Sequence, residues 1–449
     1  MATLGSVMNS ALKSLAANQL ALSVGSNNIA NAETPGFTRQ RLVVAPSGFD
    51  GSTPAIGTGV DVVRVQALRD SLIETRLRQE TSAKSGDDGL TRMLSDVEVF
   101  FNDTDDTDDT GLLQALTDFF NSFHTLSLDP ASLNFREEVK VQAQALVNGL
   151  HNRNTELVNI KNLANNGIAG EIDKINLLTK QIAAVSMEIK IQETGANDAA
   201  NDLRDRRSEL VRQLSEIVAV NELDSDGNFQ LSTKNNFLLV FAGTSRTLTV
   251  SDVTSSIGNG SLKAKLDVRD TYVPKYLTAL DQLAYELAQQ MNTIHGAAYN
   301  LDGGTGVNFF ATLASATDAS RLIDLNSTVA NDTRKIAAST LATGNDNQAA
   351  LQMANLLHNP VFTGGSITDQ YRSLVFSVGS DLGNAQVHLR EHEALVHQLE
   401  NRRQSISGVN IDEETVQILQ FQRSYEASAR LIRTVDELLQ VALSLGGSR

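Results

Sequence analysis

The 449-residue sequence predicts a mainly α protein with a small β domain. Its terminal helices should pair as a coiled coil, with a helical-bundle body built from both halves of the chain and a β insertion at the tip. Three observations predict this. Both ends carry apolar or small residues at alternating spacings of three and four, the seam of a coiled-coil helix. Most of residues 60–215 reads as long helices of the same kind. Residues 217–268 change to short β-rich runs.

The first seam is Leu4, Met8, Ala11, Leu15, Asn18, Leu22, Gly25 and Ile29. Within residues 1–32 the only charged side chain is Lys13. A solvated surface helix normally shows Lys and Glu on its outer face. This one shows Ser, Asn and Gln, so it can pack against further protein without burying charges, which are costly to desolvate. The stretch SNNIANAETPGFTRQR, residues 26–41, then breaks the pattern. Pro35 pushes Thr34 toward an extended conformation, Gly36 permits unusual backbone angles, and charge returns at Arg39 and Arg41.

Within the long helices, Ile175, Leu178, Ile182, Val185 and Ile189 give another three–four seam. The acidic run FNDTDDTDDTG lacks the glycine and terminal glutamate of an EF-hand and reads as a solvated connection. IVAVNELDSDGNFQLSTKNNFLLVFAG opens the β segment, with a hairpin signal at Asp226-Gly227. Helical pattern returns over 272–295 and, after a Gly- and Asn-rich stretch, over 369–403. The last seam is Ile418, Phe421, Tyr425, Ser428, Ile432, Val435, Leu439 and Ala442. Each terminal helix would be about 40 Å long at roughly 1.5 Å per residue. Neither has a partner nearby in sequence, so each is expected to pair with the other. The expected domains are 1–40 with 405–449 for assembly, 41–216 with 269–404 as the helical body, and 217–268 as the β domain.

Composition narrows the function. A net charge of −16 argues against nucleic acid or anionic membrane as partner, because both attract basic surfaces. With no cysteine, disulfides, thiolate metal sites and thiol catalysis are excluded. No apolar run approaches the roughly 18 residues of a membrane span. The ANA at 30–32 resembles a signal-peptidase site, but Asn18, Gln19 and Ser23 interrupt any apolar core before it, so no cleaved signal is expected.

One chemical motif stands out. His388, Glu391 and His392 form H-x-x-E-H, an inverted zincin pattern in which two histidines one helical turn apart could ligate zinc beside a glutamate base. The same segment spaces Leu382, Ala385, Leu389, His392, Val396 and Leu399 as a packing seam, and no third ligand is identifiable. No metal, cofactor or catalytic residue is therefore expected. DGGTG at 302–306 lacks the lysine of a phosphate loop and reads as a turn. His295 is expected to cap its helix as an imidazolium. Phe309-Phe310 reads as an anchor into the body, and Arg206-Arg207 as a solvated face.

NNIANAETPGFTRQR and SGVNIDEETVQILQFQRSYEASARLIRTVDELLQ resemble the paired terminal signatures of bacterial flagellar axial proteins, the rod, hook and hook-associated families. Asn28, Ile29, Asn31, Pro35, Gly36 and Phe37 match the first signature, and Gln422, Tyr425, Ala427 and Ala429 the second. Phe37 stands where many relatives have Tyr. DPASLNFREEVKVQAQAL, LDQLAYELAQQMNTIHGAAYNLDGGTGVNFF and SGVNIDEE favour the hook-associated branch over a hook or distal-rod protein. An exported zinc peptidase on an axial scaffold is the alternative from another class.

The resemblance implies a structural subunit at the hook–filament junction, exported by the flagellar type III route, with its terminal helices in the inner layer of a tubular polymer. It also implies that the AETPGF break turns the chain outward from that layer. The implied partners are copies of itself, the hook protein, hook-associated protein 3 and a cytosolic export chaperone. The implied assembly interface is Leu15, Leu22, Asn28, Ile29, Asn31, Pro35, Gly36 and Phe37 with Phe421, Gln422, Tyr425, Ile432, Val435 and Leu439. Phe421, Tyr425 and Ile432 are the implied chaperone contacts. The chain is short for this family, which implies a reduced or absent outer domain.

Overall fold

A computed structural model describes residues 4–48, 57–101, 111–194, 200–225, 228–253, 257–344 and 346–446. The acidic run at 102–110 and the Asp226-Gly227 turn lie outside the described residues. The chain opens with helix α1 (Leu4–Ala30) and an antiparallel hairpin, β1 (Gln40–Pro46) and β2 (Val60–Ala67). The helices α2 (Ser71–Phe101), α3 (Leu112–Leu128), α4 (Leu133–Glu193) and α5 (Asn201–Ile217) follow. A four-stranded antiparallel meander comes next, β3 (Val220–Ser225), β4 (Asn228–Thr233), β5 (Leu238–Phe241) and β6 (Thr244–Ser245). Helix α6 (Ser261–Asp267) runs through a π turn at Val268–Tyr272 into α7 (Val273–Ala297). The short helices α8 (Ala319–Leu322), α9 (Ser327–Asn331) and α10 (Gln348–Asn355) lead to the long α11 (Ile367–Ser407) and α12 (Ile411–Gly446). The mainly helical architecture with a small β region is the one expected from the sequence.

The chain divides into two compact units. The first is Met1–Lys84, Ile172–Gly260 and Glu391–Arg449; the second is Ser85–Glu171 and Ser261–Arg390. The second unit is organised by an aromatic core. Phe119, Phe120, Phe123, Phe309 and Phe310 are all buried, and their rings meet tilted or edge-on, with centroids as close as 4.9 Å between Phe309 and Phe310. Such contacts add to the large apolar area each ring removes from water.

In the first unit α1 packs on α12, the hairpin packs on α1, and the meander lies beside α5.

Four local expectations give way to tertiary context. Residues 60–67, read with the helical stretch, are a strand whose seven-residue partner begins four residues after Gly36. Residues 261–267, read with the β segment, are helical. Arg207 is not on a solvated face: it is buried, lies 4.0 Å from the centroid of the Phe229 ring and is paired to Asp224 at 2.6 Å. Its neighbour Arg206 is exposed.

His295 is not a charged cap either. It is fully buried, with Nδ1 2.6 Å from the Val307 carbonyl and Nε2 accepting the Ala337 N–H at 2.8 Å. An Nε2 that accepts a hydrogen bond belongs to a neutral imidazole. Burial pushes its pKa down to about 4, because the low-dielectric interior disfavours the cation.

Candidate assembly interface at the chain termini

Helices α1 and α12 form an antiparallel pair. Three contacts fix the register: Ser14 Oγ lies 3.1 Å from Ser428 Oγ, Gly25 faces Ile418, and Asn28 Nδ2 donates to Glu414 Oε2 at 3.0 Å. On α12 the face turned inward is the one its spacing predicts, except at its last member, Ala442, which is exposed. Ile418, Phe421, Tyr425, Ser428, Ile432 and Leu439 are half-buried, and Val435 is buried.

On α1 the buried stripe is Ala11, Ala17, Ala21, Gly25 and Asn28, which keeps Ala11 and Gly25 of the expected seam and leaves its leucines at the flank. Leu15, Leu22 and Ile29 flank it and stay half-exposed, and Leu12 and Leu20 face outward. Small residues let the two helix backbones approach closely. At Gly25 even one added carbon would sit 2.9 Å from Ile418 Cγ1.

The break after α1 is a compact turn. Asn31 Nδ2 donates to the Asn27 carbonyl at 3.0 Å, the Thr34 N–H to the Asn31 carbonyl at 3.0 Å, and the Phe37 N–H to the Thr34 carbonyl at 3.2 Å. Gly36 has φ +81°, a left-handed conformation that side chains rarely adopt. Pro35 is exposed, and Asn31, Gly36 and Phe37 are half-buried. These residues line a cavity of about 480 Å³ together with Leu210 and Gln213 of α5.

A polar cluster sits where the turn meets the start of α12. Asn28 is buried and grips the backbone of Gln40 from both sides: Nδ2 donates to its carbonyl at 2.8 Å and Oδ1 accepts its N–H at 2.9 Å. Arg39 Nε donates to Glu414 Oε1 at 2.7 Å, and its NH1 lies 3.1 Å from Glu413 Oε2. Glu414 is almost fully buried. Beside them Asp205 of α5 accepts the Thr38 N–H at 2.8 Å and pairs with Arg69. Burial still pushes the Asp205 carboxyl above its ordinary pKa, against the pull of Arg69.

Helical spacing does not single out Arg39, Gln40, Asp205 or Glu414. A signal was present: basic residues follow the first break in FTRQR, and acidic residues follow the second in NIDEE. Lys13, the lone charge of α1, is also satisfied locally, donating to Asp61 Oδ1 at 2.8 Å and Ser47 Oγ at 2.6 Å.

The flank of α1 opens into a groove of about 630 Å³ lined by Gln19, Leu22, Ser23, Ser26, Asn27, Ala30 and Tyr425, every one uncharged. Gln422, three residues before Tyr425 on α12, is exposed.

The H-x-x-E-H residues lie on α11. His392 is half-buried, with Nδ1 2.7 Å from Glu80 Oε2, while His388 and Glu391 are exposed. Among the described residues no group of three or more His, Cys, Asp or Glu side chains could hold a metal ion. Among the described residues no helix is long and apolar enough to cross a membrane.

Comparison with known proteins places these features in a family. The model of the flagellar hook-associated protein FlgK helical domain matches residues 94–310. Models of the flagella basal body rod protein and of the flagellar basal body rod FlgEFG protein C-terminal region match residues 8–38 and 401–445, the two terminal helices. Flagellar hook-associated protein 1 of Escherichia coli (strain K12) is 27% identical over 557 positions, covering 98% of this chain and 100% of that one. That span exceeds the 449 residues here, so the relative carries segments without a counterpart in this chain. The Bacillus subtilis (strain 168) protein of the same name is 26% identical, covering 97% of each chain. The solved structure of the flagellar hook junction protein FlgK from Burkholderia pseudomallei shares the fold, with a TM-score of 0.63 at 14% identity over 74% of this chain and 100% of that one. Matched through its helical body and at both ends, the chain belongs to the flagellar hook-associated protein 1 family.

Proposed function

We propose that the chain is a structural subunit of the bacterial flagellum that forms the junction between hook and filament and assembles through its terminal helices. The observation that carries this is the α1–α12 pair. It hides little of its own surface, its outer groove is uncharged, and Leu12, Leu20, Leu431, Leu438 and Val441 remain exposed along it. A helix pair that leaves this much apolar surface bare is completed by other protein.

In this reading Leu15, Leu22, Ile29, Asn31, Pro35, Phe37 and Gln422 offer the surface to neighbouring subunits. Asn28, Gly36, Phe421, Tyr425, Ile432, Val435 and Leu439 hold the pair in the shape that is offered. Residues 1–40 and 405–449 act as the assembly domain, 41–216 and 269–404 as the body and 217–268 as the β domain.

The contacts are copies of the same chain, the hook protein on one side and hook-associated protein 3 on the other. Before export a cytosolic chaperone covers Phe421, Tyr425 and Ile432. Export proceeds without a cleaved signal, and the subunit works at the junction outside the cell. The role is mechanical rather than catalytic.

Tyr425→Asp tests this reading. It places a carboxylate at the half-buried centre of the pair, where burying an unpaired charge costs several kcal/mol. The expected outcome is an exported protein with unchanged unfolding of the second unit, in cells with hooks, no stable filaments and flagellin released into the medium. Export is checked first by detecting the variant outside the cell. Normal junctions and swimming with exported Tyr425→Asp protein would refute the proposed interface.

A further inference from the structure

We infer that the buried cluster of Asn28, Arg39, Gln40 and Glu414 sets the axial register of the terminal helix pair. The inference concerns pairing within the chain and does not depend on where the chain is used.

The packing stripe of α1 is nearly featureless. A slide of α1 by one heptad would bring Ser14 to the place of Ala21, or Ala21 to the place of Asn28. The same slide would bring Ser10 to the place of Ala17, so small residues would still fill most of the stripe, with Leu4 and Asn18 coming to the places of Ala11 and Gly25. Helix seams of this kind specify register weakly, and a polar group at one position commonly supplies it. The one steric feature along the stripe is the notch at Gly25 under Ile418.

The polar cluster is intolerant of the same slide. Asn28 uses its amide three times, twice on Gln40 and once on Glu414. Arg39 reaches Glu414 from the turn, while the Arg39 N–H donates to the Ser407 carbonyl at 2.9 Å, just before α12 begins. One carboxylate is therefore held by both α1 and the turn that follows it. Moving α1 by a heptad would strip Asn28 from a carboxylate whose side chain is only 2% exposed, leaving a buried acceptor unpaired. Asn28, Arg39 and Glu414 are positioning residues: they decide which faces of α1 and α12 lie level.

The chain has no cysteine, so engineered thiols report the register directly. Full-length chains carrying Ser14→Cys with Ser428→Cys report the observed register. Chains carrying Val7→Cys or Ala21→Cys with Ser428→Cys report slides of one heptad. The expected result is intramolecular cross-linking in the first pair alone. Adding Glu414→Met should lower the ratio of in-register to slipped product by about tenfold or more, the effect of losing charge-assisted bonds at one buried carboxylate. Glu414→Gln, which keeps an acceptor for Asn28, should retain the register, and helix content followed by circular dichroism should stay level.

Three results would overturn the inference. They are a parent chain that does not cross-link at Ser14 and Ser428, a Glu414→Met chain with an unchanged ratio, and a Glu414→Met chain that loses every cross-link. The last would mean that the cluster is needed for pairing itself and not for its register.

Discussion

The two units of this chain solve opposite problems. Residues 85–171 and 261–390 hold 26 Asp and Glu against 14 Lys and Arg, and the other unit holds 27 against 23. Most of the net negative charge thus sits on the unit with the aromatic core. That unit has a core of completely buried large side chains, among them Phe119, Phe123, Phe309, Phe310 and Tyr276, while Leu128, Leu163 and Phe376 lie exposed on its outside. In the other unit, α12 buries only Glu414 and Val435 among its described residues. One unit is built around a large aromatic core and carries most of the net negative charge. The other keeps a near-neutral helix pair with bare apolar edges, which is what a surface awaiting neighbours requires. The difference teaches that stability and assembly are assigned here to different stretches of sequence.

The largest expected effect falls on the unit with the aromatic core. Phe309→Ala removes a ring that touches Phe119, Phe123, Phe310 and His295. Replacing a fully buried phenylalanine by alanine costs about 3–5 kcal/mol. Thermal unfolding of the second unit should shift by many degrees. If the shift is only slight, the aromatic core is not what stabilises that unit.

Acid should follow. His295 is neutral in the fold, with its pKa pushed down to about 4 by burial, and ordinary when the chain unfolds. Between pH about 6.5 and about 4 the unfolded chain therefore binds a proton that the folded chain refuses. Stability is full above that window and falls as pH drops through it, by about 3 kcal/mol in total. Denaturant titrations from pH 7 to 4, with His295→Gln as the flat control, measure the slope attributable to this side chain. A parent and control that fall together would assign acid sensitivity to other groups.

The smallest effect belongs to the unit with the helix pair. Asn410 caps α12, its Oδ1 accepting the Asp412 N–H at 3.0 Å. Asn410→Ala should cost about 1 kcal/mol, read as earlier proteolytic trimming of the C-terminal helix with no change in unfolding of the other unit. If both transitions shift together, the stabilities of the two units are coupled and the comparison weakens.

Much of this architecture is legible in the primary structure because helical periodicity is a local property. The seam from Ile418 to Leu439 points inward as its spacing says, since its large apolar side chains leave only one sensible face to bury. The terminal signatures, the helices over 272–295 and 369–403 and the β-rich run after Val218 are likewise readable without coordinates. Tertiary structure decided the rest. Along α1, the leucine line and the alanine line have the same period, and only the close approach to Ile418 favours the smaller residues. Residues 60–67 become a strand because residues 40–46 arrive to pair with them, a partner no window of sequence contains. Arg207 and His295 are buried because Phe229, Asp224, Val307 and Ala337 come from distant positions to cover or bond them. The cluster at Glu414 joins residues nearly four hundred positions apart. Spacing reports which face a helix can bury, but the identity of what covers it is set by long-range packing, and a buried charge is stable only once those distant partners are in place.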